Sequence, residues 1–155
     1  MKSKIATIAI TAVALSSQCS IAAPIALSEA FNYNAFIFND YEGERSDVEG
    51  TLAVGGNLTV EDFDVGLLLP PDLSTSSLYV GGDLNFTRGK VNGGQTTVSG
   101  MINANNVEFA GGLNSAASVS IEGGSVNNGG ISSKGDVSLV LSLIHISEPT
   151  RRAII

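Results

Sequence analysis

Ser46-Asp47-Val48-Glu49-Gly50-Thr51-Leu52-Ala53-Val54-Gly55-Gly56-Asn57-Leu58-Thr59-Val60 is the stretch that decides the fold, because its second half returns down the chain. Val54-Gly55-Gly56-Asn57-Leu58 comes back as Val80-Gly81-Gly82-Asp83-Leu84, more loosely as Val98-Ser99-Gly100-Met101-Ile102, and again within Lys134-Gly135-Asp136-Val137. Taking the residue before each short apolar strand aligns Asn57, Asp83, Met101, Ser118 and Asp136, at spacings of 26, 18, 17 and 18. A period near eighteen suits one coil of a three-sided stack with about six residues per face, and repeats of this kind signal stacked architectures. The expectation is an all-β, right-handed three-sided β-solenoid.

The interval of 26 residues is the exception, and it contains Gly66-Leu67-Leu68-Leu69-Pro70-Pro71-Asp72-Leu73. Proline removes a ladder donor, so this segment reads as a loop thrown out of one corner. Corners are marked by Gly55-Gly56, Gly81-Gly82, Gly93-Gly94, Gly111-Gly112, Gly123-Gly124 and Gly129-Gly130, read as sites of positive φ. Between them, Leu78-Tyr79-Val80, Val107-Glu108-Phe109 and Val119-Ser120-Ile121 alternate apolar with polar, which places one set inside and the other in solvent. Asn92, Asn103, Asn105, Asn106, Asn114, Asn127 and Asn128 suit turns and left-handed geometry, and are candidates for stacked polar ladders. Near the N-terminus, a short helical turn is expected from Leu27 to Phe31, with Ser28 as its N-cap, and a strand from Ala35 to Phe38. Phe31, Phe36 and Phe38 are core candidates that would cap the first coil and protect its strand edges.

The opening phrase, with Phe31-Asn32-Tyr33-Asn34-Ala35-Phe36-Ile37-Phe38-Asn39-Asp40 before it, resembles the head of a choice-of-anchor A domain. The likeness is specific over residues 31–84 and general beyond. That family groups bacterial surface proteins whose ice-binding-like, adhesive domain is delivered with different C-terminal anchors. The resemblance implies a role in binding and display, and gives no ligand. Its motif falls here on Asp47, Val48, Glu49, Gly50, Gly55, Gly56, Gly81 and Gly82. It also implies a helix packed along the solenoid. No long amphipathic pattern occurs within residues 23–140, so helix and anchor are expected beyond Val140, leaving the domain incomplete at its C-terminal end.

The two ends read differently from the middle. Lys2 and Lys4 precede an apolar run over residues 5–15, and Ser20-Ile21-Ala22 supplies small residues before Ala23-Pro24. Residues 1–22 therefore read as a secretory signal peptide, whose apolar run over residues 5–15 is too short to span a bilayer, which takes roughly 20 apolar residues. Leu141-Ser142-Leu143-Ile144-His145-Ile146-Ser147-Glu148-Pro149-Thr150-Arg151 looks like the in-frame translation of a sequencing-library adapter, so residues 141–155 are set aside from fold reasoning.

Residues 23–140 carry fourteen carboxylates against four basic side chains, Arg45, Arg88, Lys90 and Lys134. So acidic a domain repels nucleic acid and anionic lipid, which need Lys/Arg patches. The only cysteine, Cys19, and the only histidine, His145, lie outside that span. Disulfides, thiolate nucleophiles, histidine bases and Cys/His metal sites are thereby excluded from it.

No cofactor is expected. Calcium has one weak candidate, the acidic segment from Asp40 to Asp47, read as a solvated loop without the ligand order of an EF-hand. A glycosidase would need two facing carboxylates, one raised in pKa, and a lyase a base beside a cation. Glu61, Asp62, Asp64 and Asp83, with Arg88 and Lys90, are the candidates, read as loop residues in solvent. Thr51, Thr59, Thr75, Thr87, Thr96 and Thr97 form no sustained Thr-x-Thr ladder of the kind ice binding favours. Asp47 and Glu49 are read as structural, accepting backbone hydrogen bonds where the chain turns toward Leu52. The functional expectation is a secreted, surface-displayed, non-catalytic adhesive module. Its partners would be an extracellular surface, polysaccharide or protein, with ice binding and a carbohydrate-active β-helix enzyme as alternatives.

Overall fold

The structure, a computed structural model, describes residues 30–140. The readings of residues 1–22 and 141–155 lie outside them, as does most of the turn expected near Leu27. At its end the Tyr33 amide donates to the Ala30 carbonyl at 3.2 Å.

Thirteen strands follow in order: β1 (Ala35–Ile37), β2 (Tyr41–Val48), β3 (Leu52–Val54), β4 (Leu58–Val65), β5 (Ser76–Val80), β6 (Leu84–Val91) and β7 (Gln95–Val98). Then come β8 (Ile102–Phe109), β9 (Leu113–Ser115), β10 (Val119–Glu122), β11 (Ser125–Val126), β12 (Ile131–Ser133) and β13 (Val137–Val140). Short and long strands alternate because they belong to two parallel sheets. One stacks β1-β3-β5-β7-β9-β12; the other stacks β13-β10-β8-β6-β4-β2, with β11 beside β8. Each chain turn contributes one strand to each sheet, so the molecule is an all-β solenoid. The register inferred from the repeats holds. Leu58 N–H donates to Asp83 O at 2.9 Å, Leu84 N–H to Met101 O at 2.8 Å, Ile102 N–H to Ser118 O at 3.0 Å and Val119 N–H to Asp136 O at 2.8 Å.

The long strands are folded in two. Arg45, Asp62, Arg88 and Asn106 have φ between 50° and 54°, and each sits mid-strand where the paired register skips a residue. Gly123 and Gly124 continue this column at φ 71° and 73°, separating β10 from β11. The cross-section thus has three sides: the short strand, the first half of the long strand and its second half.

Alternation fills the interior. Leu58, Leu84, Ile102 and Val119 stack in one fully buried column, and Val65, Val91 and Phe109 in another. Two further columns interlock large with small: Val60–Phe86–Ala104–Ile121 beside Phe63–Gly89–Val107. A Cβ on Gly89 would overlap the Phe63 carbonyl and crowd the Phe86 ring, so that glycine is the space into which the phenylalanines pack. Burying each such ring is worth roughly 1.5–3 kcal/mol. The polar groups inside are satisfied: the buried Ser77 hydroxyl accepts from Gly94 N–H at 2.6 Å, and Ser115 Oγ donates to Gly100 O at 2.8 Å.

Four expectations are corrected. The acidic segment from Asp40 to Asp47 is not a loop; Tyr41–Val48 is strand β2, because Tyr41 and Val48 hold the inward columns occupied by Leu58 and Val65 one coil later. Glu61, Asp62 and Asp64 likewise lie on β4 rather than on a loop. Phe31 and Phe38 are not core, being 90% and 64% exposed, and Phe36 is half-buried; β1 supplies the first coil of its sheet, so the segment is a rung rather than a lid over one. Gly55, Gly56, Gly81 and Gly82 do not have positive φ. They are glycines because the backbone of the preceding coil passes too close: a Cβ on Gly81 would overlap the Gly55 carbonyl, and one on Gly55 the Phe38 carbonyl.

The loop read from the prolines is present between β4 and β5. Its start is pinned by Leu68 N–H to Glu49 O at 2.9 Å, and its end by Asp72, whose carboxylate accepts from Ser74 Oγ at 2.6 Å and from Ser74 N–H at 2.9 Å. Those bonds hold Asp72 below its usual pKa.

Candidate binding face

The three sides differ in what they present. The short strands offer one outward column, Phe36–Ala53–Tyr79–Thr97–Asn114–Ser132, in which Ala53 is fully covered. The second halves of the long strands offer another, Asp47–Asp64–Lys90–Glu108–Ser125, in which Lys90 pairs with Glu108 at 3.1 Å. The first halves are wider and carry two. One is Glu42–Thr59–Asn85–Asn103–Ser120–Ser138, the other Glu44–Glu61–Thr87–Asn105–Glu122–Val140.

Coils stack about 4.8 Å apart, and alternate residues of a strand lie about 6.6 Å apart, so these two columns form a flat grid. Two shallow troughs of about 370 and 220 Å³ run along it, meeting at Asn85 and Thr87. The middle of the grid is uncharged: Thr59, Asn85, Thr87, Asn103, Asn105 and Ser120. Carboxylates flank that middle, Glu42, Glu44 and Glu61 on one side and Glu122 on the other, with Ser138 and Val140 beyond Glu122.

Much of the grid is held in place by its own hydrogen bonds. Asn103 Nδ2 donates to Asn85 Oδ1 at 3.1 Å, Asn105 Nδ2 to Glu122 Oε2 at 3.4 Å, and Asn106 Nδ2 to Asn105 Oδ1 at 2.7 Å. The ladders expected of the asparagines therefore exist, though Asn103 and Asn105 form theirs on strand β8 rather than in turns. Asn114, on β9, bonds Gln95 Oε1 at 2.7 Å, while Asn127 bonds Glu108 Oε1 at 2.9 Å. A second ladder runs along the adjacent corner, where each side chain bonds the next coil's backbone: Asn57 N–H to Asp40 Oδ1 at 2.7 Å, Asp83 N–H to Asn57 Oδ1 at 2.8 Å and Met101 N–H to Asp83 Oδ1 at 2.7 Å.

The carboxylates weighed for catalysis do not converge on a cleft. Glu61 and Asp62 are both clamped by Arg88, whose Nε lies 2.7 Å from Asp62 Oδ1 while its other end reaches Glu61. Hydrogen bonding from Arg88 holds Asp62 below its usual pKa, and the same bonds push the guanidinium higher still. Asp64 faces Lys90 in register on the next side, and Asp83 belongs to the corner ladder. Among the described residues no group of three or more His, Cys, Asp or Glu side chains is placed to hold a metal ion.

The motif residues gather at two corners. Gly55, Gly56, Gly81 and Gly82 form the corner between short and long strands. Val48 continues the Val65 column, but Asp47, opposite Asp64, and Glu49 are exposed, and among the described residues neither carboxylate accepts the backbone hydrogen bond expected of it; it is the main-chain carbonyl of Glu49 that accepts, from Leu68 N–H. A Cβ on the buried Gly50 would overlap the Asn34 amide, whose Oδ1 accepts from Thr51 N–H at 2.9 Å.

Which side chains make the flat face is what the sequence reading missed, yet their signal was there. Two residues beyond each aligned Asn57, Asp83, Met101 and Ser118 stand Thr59, Asn85, Asn103 and Ser120.

No curated protein and no solved structure matches the chain. A family model described as a putative ice-binding-like adhesive domain matches residues 26–142, and the chain belongs to that family.

Proposed function

We propose that the chain is a non-catalytic adhesive module, secreted and held at the cell surface, which binds a repetitive extracellular target through the grid on the first halves of β2, β4, β6 and β8 and on β10 and β13. The observation that carries this reading is the in-register double column of side chains, rigid at coil spacing and widest of the three sides. A rigid periodic surface suits a periodic target, since each added contact acts at high effective concentration. Family membership supports adhesion. Against catalysis stands the Arg88 clamp: a glycosidase acid needs a raised pKa, and a shared guanidinium acts the other way. Against ice stands the alternation of amides and carboxylates where rows of threonine would be wanted.

The test compares retention of the purified chain on a panel of insoluble polysaccharides, ice and protein-coated surfaces with that of two double variants. Asn85→Ala/Asn103→Ala is expected to lose retention at least tenfold with an unchanged melting temperature, whereas Tyr79→Ala/Thr97→Ala on the short-strand side retains it. Retention by no surface, equal loss in both variants, or release of cleaved saccharide would overturn the proposal.

A further inference from the structure

Resting on that reading, we infer that the grid's ligand is an uncharged, hydroxyl-rich, unbranched polysaccharide laid along the stacking axis, so that successive sugars meet successive coils. Three observations select this chemistry. First, the six central side chains, Thr59, Asn85, Thr87, Asn103, Asn105 and Ser120, are amides and hydroxyls, which both donate and accept, as sugar hydroxyls do. Second, the uncharged middle of the grid is flanked by Glu42, Glu44, Glu61 and Glu122, and the cations that reach it among the described residues, Arg45 and Arg88, are already spent on Glu44 and on Glu61 and Asp62. An anionic glycan would meet carboxylates on both sides of that middle with no free cation between. Third, the grid offers no aromatic or arginine anchor of the kind that dominates protein–protein hot spots, and its troughs are shallow.

Direction follows from the hydrogen bonds. The Asn85–Asn103 bond runs from coil to coil, leaving Asn103 Oδ1 and Asn85 Nδ2 with unused capacity along the same column. Side chains already fixed by their neighbours lose less freedom on binding, which favours many weak contacts in a row. The longest row available is six strands, β2 to β13. A ligand along this row gains with every sugar until the row is covered; a ligand lying across a single strand stops gaining after two.

The experiment titrates the chain by calorimetry with uncharged β-linked oligosaccharides from dimer to hexamer, cello- and N-acetylated chito-oligosaccharides, with oligogalacturonates as the anionic series. The expected result is affinity rising stepwise to the hexamer in an uncharged series and lost at least tenfold in Asn85→Ala/Asn103→Ala. Tighter binding of the anionic series, or saturation at the dimer, overturns the inference. If no oligosaccharide binds but the chain still adheres through the grid to a protein-coated surface, the ligand assignment fails and the adhesive reading survives. If nothing is bound by any route, both fail.

Discussion

Two corners of the same triangle are built on opposite principles. At the corner between short and long strands, Gly55-Gly56 and Gly81-Gly82 adopt ordinary backbone angles and are glycines because successive coils touch backbone to backbone. At the corner inside the long strands, the backbone is left-handed, yet four successive coils place Arg45, Asp62, Arg88 and Asn106 there. The first corner lacks room for a Cβ at Gly55 and Gly81, although Ser99 and Ala116 follow them in register; the second has room for long side chains but carries a backbone cost of roughly 1–2 kcal/mol for an ordinary L-residue. Glycine in this chain therefore reports crowding more faithfully than it reports turning.

The sharpest way to break that contrast is at Gly81. Gly81→Ala places a methyl group against the Gly55 carbonyl, where only backbone can yield, and is expected to cost about 3 kcal/mol in urea unfolding with an unchanged m-value, as overpacking does. If Gly81→Ala is as stable as the parent, the coils are not in backbone contact at this corner.

The same corner holds the side-chain ladder, which predicts a smaller effect. Asp83→Ala removes the acceptor from Met101 N–H and should cost about 1 kcal/mol, while Asp83→Asn keeps an oxygen there and should be nearly neutral. Equal losses in the two variants would mean that the carboxylate's charge, rather than its hydrogen bond, matters. The ladder stops at Met101, whose side chain has no oxygen to offer the next coil.

How much of this was legible beforehand follows from the two corners. The residues aligned on Asn57, Asp83, Met101, Ser118 and Asp136 gave the coil length and the register, and Pro70 and Pro71 marked the loop; glycine stands out at the corner before them where the first coils crowd, while Ser99 and Ala116 take the place of Gly81 in later coils. The second corner left no such mark: arginine, aspartate and asparagine are each ordinary in solvent, and only their shared register exposes the pattern. That blindness had a consequence. Without a bend at Asp62, residues 40–47 and 61–64 looked like loops, and the side chains that make the flat face preceding the bend, Asn85 and Asn103 among them, went unseen. Phe31 and Phe38 misled for the converse reason, since hydrophobicity alone does not place a residue inside when the inward positions of that coil are already held by Ala35 and Ile37.

Asn106 sharpens the contrast from the other side. Asn106→Gly should change stability by no more than about 0.5 kcal/mol, and Asn106→Ala should be less stable than that glycine variant by about 1 kcal/mol. Both variants lose the bond to Asn105, so their difference isolates the left-handed backbone. An alanine variant equal to the glycine one would remove the basis for calling this corner strained.

The smallest expected effect belongs to Arg88, because its partners are solvent-exposed and such pairs contribute little. Its signature is a pH dependence. Asp62 titrates lower in the folded chain than in the unfolded one, chiefly through its hydrogen bonds from Arg88, so the folded state binds fewer protons. The stability this contributes is fully present above the ordinary carboxylate range, about pH 4, and is lost as pH falls through that value toward the lower folded pKa. Arg88→Asn keeps a side chain that tolerates left-handed geometry while removing the clamp. Its melting temperature should therefore match the parent's more closely in acid than at neutral pH. If the gap between the two stays constant from neutral pH into acid, Arg88 does not stabilise ionised Asp62. The left-handed column would then be held by the coils stacked above and below it, and its charged side chains would be there for solvent alone.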